Sequence, residues 1–287
     1  MELRVLRYFV ESARENSMTR AAEKLHVTQP TLSRQLRDLE RELGQKLFVR
    51  SNYSIHLTPE GRVLFARAVD MLDMEEKTRA EFEAMREFNG GDVCVGCAES
   101  EGIAHLARAF GRLRERYSGM RLHLYSGNAE AVTQRLDRGL LDLAVVVQEV
   151  DVARYASLPL PSRDTWGLLM RKDSPLAALE EIDMERLIGP ALIVSRQGAT
   201  AEMPEWFRKN YERLNIVATY DLIYNASVLV REGVGYALGF DNLVDTGADS
   251  ALCFRPLKPR MESSMRLIWR AGMLSRTASM LLEEMRA

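Results

Sequence analysis

The chain is poor in the features that mark secreted, membrane-bound or metal-dependent proteins. It has three cysteines. They cannot all pair, and Cys94 and Cys97 lie in an apolar run, so no disulfide framework is expected. No stretch approaches the roughly 18 consecutive apolar residues that span a bilayer. The opening MELRVLRYFVESARENS carries charges throughout and lacks the apolar centre of a secretory leader, which implies a cytoplasmic protein with no membrane partner. There are four histidines, and His105 and His123 stand alone. There is no G-x-S-x-G elbow and no H-E-x-x-H helix, and Gly233-Val234-Gly235 lacks the third glycine of a dinucleotide fingerprint. These absences argue against an enzyme, a metal site and a bound cofactor. Cys94-Val95-Gly96-Cys97 does spell C-x-x-C. On a strand, however, residues three apart point to opposite faces, and no second pair completes four ligands.

What is present is enough apolar residue for a large core. The 287 residues are 46% hydrophobic and 28% charged, which suits two or more packed domains. Net charge is only -2, yet it is unevenly spread. Residues 1–58 hold ten Lys and Arg against seven Asp and Glu, a local +3 that leaves -5 for the remainder. A modest positive excess matters only through where its charges fall.

Leu3, Leu6, Phe9, Val10 and Ala13 recur at helical spacing and predict a first helix with one buried stripe. Ser17 offers an N-cap for a short second helix, Met18 to Leu25, in which Ala21 and Ala22 permit close contact. Thr28 caps a third helix. Pro30 sits in its first turn, Leu32, Leu36, Leu39 and Leu43 form its inward stripe, and Gly44 ends it. At about 100° per residue, Arg34, Arg37 and Arg41 gather on the face opposite the leucines. Two helices joined by a short turn, the second polar at its start and cationic along its outer side, match a helix that lies in the DNA major groove. Gln29, Thr31, Ser33 and Arg34 are the right types to read base edges, with Pro30 beside them on the DNA-binding side of the helix start. Arg37 and Arg41 are placed to meet phosphate. Lys46 to Arg50 and Ile55 to Leu57 read as two short strands of a wing around Ser51-Asn52-Tyr53-Ser54, with Arg50 its main contact and His56 a solvent-side strand residue.

The run S-M-T-R-A-A-E-K-L-H-V-T-Q-P-T-L-S-R-Q-L-R-D-L-E-R-E-L-G-Q-K-L-F-V-R from Ser17 to Arg50, followed by Ile55-His56-Leu57-Thr58-Pro59-Glu60-Gly61, closely resembles the N-terminal domain of LysR-type transcriptional regulators. That resemblance implies a winged helix-turn-helix over residues 1–58.

Thr58-Pro59 opens a helix expected to run without a breaker over 59–88, about 30 residues and roughly 45 Å. Leu64, Ala68, Met71, Leu72, Phe82 and Met85 supply an apolar seam suited to a second copy, or to the helix's own domain. The resemblance favours pairing of two such linker helices. Asn89-Gly90-Gly91 then reads as a hinge over 89–91.

From Asp92 strands and helices alternate. Val93 to Cys97, Leu122 to Tyr125 and Leu143 to Val147 are strands separated by helices, a βαβαβ unit that implies a parallel sheet. A second unit runs from Trp166 to about Phe254, with strands at Ala191 to Val194 and Tyr236 to Leu238. The strand Arg266 to Trp269 and the helix Ser275 to Met285 return to the first unit. The fold expected is α/β: winged helix-turn-helix, linker helix, and a two-lobed domain over 92–287 that resembles periplasmic binding proteins. Lobe I covers about 92–161 and 266–287, and lobe II about 162–265. L-D-R-G-L-L-D-L-A (Leu136 to Ala144) and E-G-V-G-Y-A-L (Glu232 to Leu238) are similar to the family in this half.

In open α/β sheets ligands sit beyond the carboxyl ends of strands. That rule selects Ser100, Asn128, Gln148, Ser195, Arg196, Asn225 and, less centrally, Asp241 as effector contacts. Arg196 could clamp a carboxylate, whereas Glu99, Glu101 and Glu149 would oppose one.

The resemblance implies a regulator of double-stranded promoter DNA that responds to a small-molecule effector, assembles as a homodimer or a dimer of dimers, and has RNA polymerase as a further candidate partner. A cysteine-based redox-responsive member of the same family and a non-specific architectural DNA-binding protein stand as alternatives.

Overall fold

The computed structural model describes residues 1–50, 54–84, 89–147, 154–196, 205–272 and 274–287. The chain divides into two compact units, Met1–Arg86 and Glu87–Ala287. None of the described helices is long and apolar enough to cross a membrane.

The first unit consists of helices α1 (Leu3–Glu15), α2 (Met18–Lys24) and α3 (Gln29–Leu43), strands β1 (Phe48–Arg50) and β2 (Ile55–Leu57), and helix α4 (Pro59–Ala84). Local chemistry starts and stops these elements. Ser17 and Thr28 accept the N–H of Arg20 and Thr31, each at 3.4 Å. Asn16 and Gly44 end α1 and α3 in the left-handed region. Leu6, Phe9, Ala21, Leu32, Leu36, Leu39 and Leu47 bury together as one core. Removing any one of these leucine side chains would cost about 2–5 kcal/mol. Thr58 accepts the N–H of Gly61 at 2.9 Å and donates to the Lys46 carbonyl at 2.7 Å, which fixes the entry of α4 beneath the wing.

The seam expected to pair two copies is divided. Ala68 is fully buried in the core of its own unit, and Leu64 and Leu72 pack against that core. Arg7 pairs with Glu75 at 2.8 Å to tie α1 to α4. Ala68 is thus spent on its own domain, whereas Leu64 and Leu72 pack against that core and stay partly exposed. An apolar stripe records that a face is buried, not against what. Met71 and Phe82 remain exposed, as does Val63, which the seam omitted. Met85 and the rest of 85–88 lie outside the described residues.

The second unit comprises β3 (Asp92–Cys97), α5 (Ile103–Arg116), β4 (Arg121–Ser126), α6 (Ala129–Asp137), β5 (Leu143–Val146), β6 (Ala156–Arg171), β7 (Ile182–Asp183), β8 (Ala191–Ser195), α7 (Glu205–Asn210), β9 (Asn215–Tyr220), α8 (Ile223–Arg231), β10 (Tyr236–Phe240), β11 (Leu252–Lys258), β12 (Glu262–Trp269) and α9 (Arg276–Arg286). In lobe I, β4, β3 and β5 are parallel, and β12 joins β5 antiparallel. In lobe II, β10, β8 and β9 are parallel. The sixteen-residue β6 serves both lobes. Its first part pairs with β12, and its later part pairs with β10 and β11, all antiparallel. The sheets are thus mixed, because the crossing strands that return between lobes run against the βαβ direction. Each lobe buries apolar clusters on both faces of its sheet.

Asn89 to Gly91, expected to act as a free hinge, is pinned within this unit. Gly119 donates to the Asn89 carbonyl at 2.9 Å and Arg121 donates to that of Gly91 at 3.0 Å. Gly90 has φ +129, and a Cβ there would lie 2.3 Å from the Gly119 backbone. Its glycine serves close packing.

Candidate nucleic-acid interface and effector cleft

The leucines that bury one side of α3 leave Arg34, Arg37 and Arg41 exposed on the other. Arg41 reaches back to Asp38 at 2.9 Å. Arg34 and Arg37 have no ion-pair partner among the described residues. Gln29, Pro30 and Thr31 stand at the helix start, with the Thr31 hydroxyl 2.8 Å from that of Thr28.

Ser33 is a correction. It is buried, and its hydroxyl accepts from Gln29 Nε2 at 2.9 Å. Seven residues return a helix to within about 20° of its starting direction, so Ser33 shares its line with the buried Glu40 and not with Arg34. The β1 backbone reaches Arg50, opposite Ile55. Its side chain, like Ser51-Asn52-Tyr53 of the wing, is outside the described residues.

Glu40 braces this surface. One carboxylate oxygen accepts the N–H of Leu47 at 2.9 Å and of Phe48 at 3.4 Å, and the other accepts Lys46 Nζ at 3.0 Å. Burial by itself would raise this carboxyl. The Leu47 amide, then Lys46 and the Phe48 amide, more than offset that and hold it below its ordinary value.

In the second unit a cleft of about 60 Å³ opens between the lobes. Ala98, Glu99, Gly127, Asn128 and Val147 come to it from the ends of β3, β4 and β5 in lobe I. Lobe II supplies the rings of Trp166, Tyr220 and Phe240, together with Ser195, Asp221, Ile223, Gly239 and Leu243. Asn128 caps α6 by accepting the Ala131 N–H at 2.9 Å and reaches across to Asp221 at 3.4 Å. Glu99 accepts the N–H of Ile223, the first residue of α8. Burial pushes the Glu99 carboxyl up, and the Ile223 hydrogen bond offsets part of this. Tyr220 donates to the Leu238 carbonyl at 2.7 Å. Burial first, and then the nearby Glu99 charge, drive its phenol well above the ordinary range.

Of the expected effector residues, Asn128 and Ser195 line this cleft. Ser100 is buried elsewhere, accepting the Gly102 N–H at 2.8 Å and bonding to the buried Asp164. Arg196 stands outside the walls and pairs with Asp221 at 3.2 Å. Asn225 is exposed, because two residues along a helix turn about 200° away from the inward Ile223. Asp241 accepts the Thr165 N–H at 2.9 Å. Gln148 and Glu149 lie outside the described residues. Strand-end reasoning missed Trp166 and Phe240, which enter from strands and not from the loops that follow them.

The C-x-x-C pair separates as strand geometry requires. Cys97 lies in one lobe I core, whereas Cys94 packs against the core on the opposite face. Burial raises the Cys97 thiol, which disfavours a reactive thiolate.

Residues 3–62 match the model for the bacterial regulatory helix-turn-helix protein, lysR family, and residues 86–287 match the LysR substrate binding domain. The chain belongs to the LysR family. It is a LysR-type transcriptional regulator with a helix-turn-helix DNA-binding domain and an effector-binding domain. The Hca operon transcriptional activator HcaR of Escherichia coli (strain K12) is 30% identical over 284 residues, covering 95% of this chain and 93% of that protein. The LysR fold extends through the whole chain. Full-length CbnR complexed with its target DNA aligns with a TM-score of 0.78 at 19% identity, covering 100% of this chain and 99% of that one. A full-length OxyR variant from Pseudomonas aeruginosa aligns at 0.56 with 26% identity, over 100% and 98%.

Proposed function

We propose that this LysR-type regulator binds a specific promoter sequence in double-stranded DNA as a cytoplasmic homodimer, or as a dimer of dimers, and changes its grip when a small molecule enters the interlobe cleft. The observation that carries the DNA part is the exposed arginine face of α3, set opposite the buried Leu32, Leu36 and Leu39, whereas Leu43 at the end of the expected stripe is exposed. Arg34, with Gln29 and Thr31, meets base edges beside Pro30 at the helix start, because guanidinium and amide groups can bond two base atoms at once. Arg37, Arg41 and Arg50 meet phosphate. Among the described residues Val63, Met71 and Phe82 on α4, with the partly exposed Leu64 and Leu72, offer apolar surface to a second copy. No cofactor is needed for this reading, and RNA polymerase is the further partner of a DNA-bound regulator.

An effector acts only through its different affinity for two arrangements of the lobes. Glu99 and Asn128 reach from lobe I to lobe II at this cleft, so a ligand that replaces these contacts would favour a different arrangement. The test is competition between a promoter fragment and random DNA at one salt concentration, with purified full-length protein. Preference for the promoter is expected, since specific affinity typically exceeds non-specific by about 10³-fold or more. Equal affinity would replace sequence-specific regulation with general DNA coating.

A further inference from the structure

The cleft carries information about what fills it. Most of the hydrogen-bond donors around it, among the described residues, are drawn to other groups of the protein. The Ile223 N–H at the start of α8, the natural seat for an anion, is taken by Glu99. The Asn128 amide and the Arg196 guanidinium both go to Asp221. Trp166 Nε1 donates to Ser263 at 2.9 Å, away from the cleft, and the Tyr220 hydroxyl donates to Leu238. Among the described lining side chains the Ser195 hydroxyl and the second amide proton of Asn128 remain to give.

Acceptors remain available. Glu99 makes one hydrogen bond, so its second carboxylate oxygen is without a partner among the described residues. The Tyr220 oxygen keeps its lone pairs, whereas the two oxygens of Asp221 already accept from Asn128 and Arg196. Beside them Trp166 and Phe240 meet edge to face, with ring centroids 4.5 Å apart. Aromatic faces attract cations and shelter short apolar chains. No lysine or arginine lines the walls among the described residues. A carboxylate effector would thus meet the unanswered Glu99 oxygen and few donors, whereas an ammonium would find that oxygen, the Tyr220 lone pairs and the ring faces. The volume, about 60 Å³, restricts the occupant to a few heavy atoms unless the lobes part.

We propose that the effector is a small organic cation, an ammonium or amidinium group on a short apolar body, with its charged head against Glu99 and Tyr220 and its body on Trp166 and Phe240. This rests on the reading of the interlobe cleft as the effector site and names the chemistry that the site selects.

The test is calorimetric titration of the full-length protein with three probes of equal length: butylammonium, butyrate and butyramide. Saturable binding of butylammonium alone is expected. Glu99→Gln keeps an acceptor for the Ile223 N–H and should lower butylammonium affinity by roughly 10-fold to 100-fold, the scale of a lost charged hydrogen bond. Circular dichroism checks that this variant is folded. Ser195→Trp should block the cleft and abolish binding. If butyrate binds instead, and binds more tightly in Glu99→Gln, the cleft stands and the cation is wrong. Butylammonium binding that neither substitution changes would place the ligand elsewhere, overturning both readings. No saturable ammonium binding at any soluble concentration would also overturn the proposal.

Discussion

Glu40 on α3 accepts the backbone N–H of Leu47, 2.9 Å away, so a carboxylate near the end of α3 also fixes the chain that leads into β1. Three groups converge on this one side chain, two of them amides that burial denies to water. Glu40→Ala leaves these donors unanswered and should destabilise the first unit by about 1–3 kcal/mol. Chemical denaturation of the full-length protein, followed at its first transition, measures this. The effect has a defined pH dependence. The folded carboxyl sits below its unfolded value of about 4.3, so its ionic contribution is complete above that value and declines as pH falls through the folded pKa. A wild-type advantage over Glu40→Gln that grew in acid would contradict the assignment.

Gly61 in the first turn of α4 reverses an ordinary rule. Replacing an exposed helical glycine with alanine usually stabilises by roughly 1 kcal/mol. Here a Cβ would fall 2.2 Å from the Leu47 carbonyl oxygen, which is backbone and cannot swing aside. Gly61→Ala should therefore lower stability by about 1–3 kcal/mol, read as a fall in melting temperature. A rise would show that the wing and α4 can separate without cost.

Two substitutions on α4 separate its internal face from its external one. Ala68→Leu overfills a site with no exposed surface and should destabilise the first unit by about 1–3 kcal/mol. Phe82 is 67% exposed. Phe82→Asp should leave that stability unchanged while shifting the sedimentation profile toward monomer. An unaltered profile would remove Phe82 from the pairing surface.

The roles proposed for the α3 arginines are separable by substitution. Arg34→Ala should cost roughly 1–3 kcal/mol on the specific site and relax base preference, whereas Arg37→Ala should weaken all DNA alike and reduce the salt slope by about one. Fluorescence anisotropy on specific and random duplexes at several salt concentrations reads both. Identical behaviour of the two variants would deny α3 its place in the groove.

The elements most legible in the sequence are those whose chemistry is local. Ser17, Thr28, Pro30 and Gly44 mark the helices of the first unit without reference to any distant residue, and the leucine spacing of α3 orients its arginines. The βαβ order of lobe I follows from short apolar runs such as Leu143 to Val146 in the same way. Illegible features depend on what packs where. Ser33 has the chemistry of a base reader, yet it lies on the buried line with Glu40. Ala68 fits a dimer seam and a domain core equally well until α1 is seen against it. The cleft walls were the least accessible, because Trp166 and Phe240 are set by the antiparallel register of β6 and β10, in which Phe240 stands opposite Trp166. No rule about the ends of strands reaches a pairing between residues more than seventy positions apart.

Strand β6 belongs to two cores at once: Leu160 lies in the lobe I cluster and Leu168 in that of lobe II. Neither lobe is then an autonomous folding unit, since melting either one strips the shared ribbon of half its neighbours. The sensing half should come apart in a single cooperative event, and a peptide-bond cut near the middle of that ribbon would leave two fragments, each deprived of its central plank.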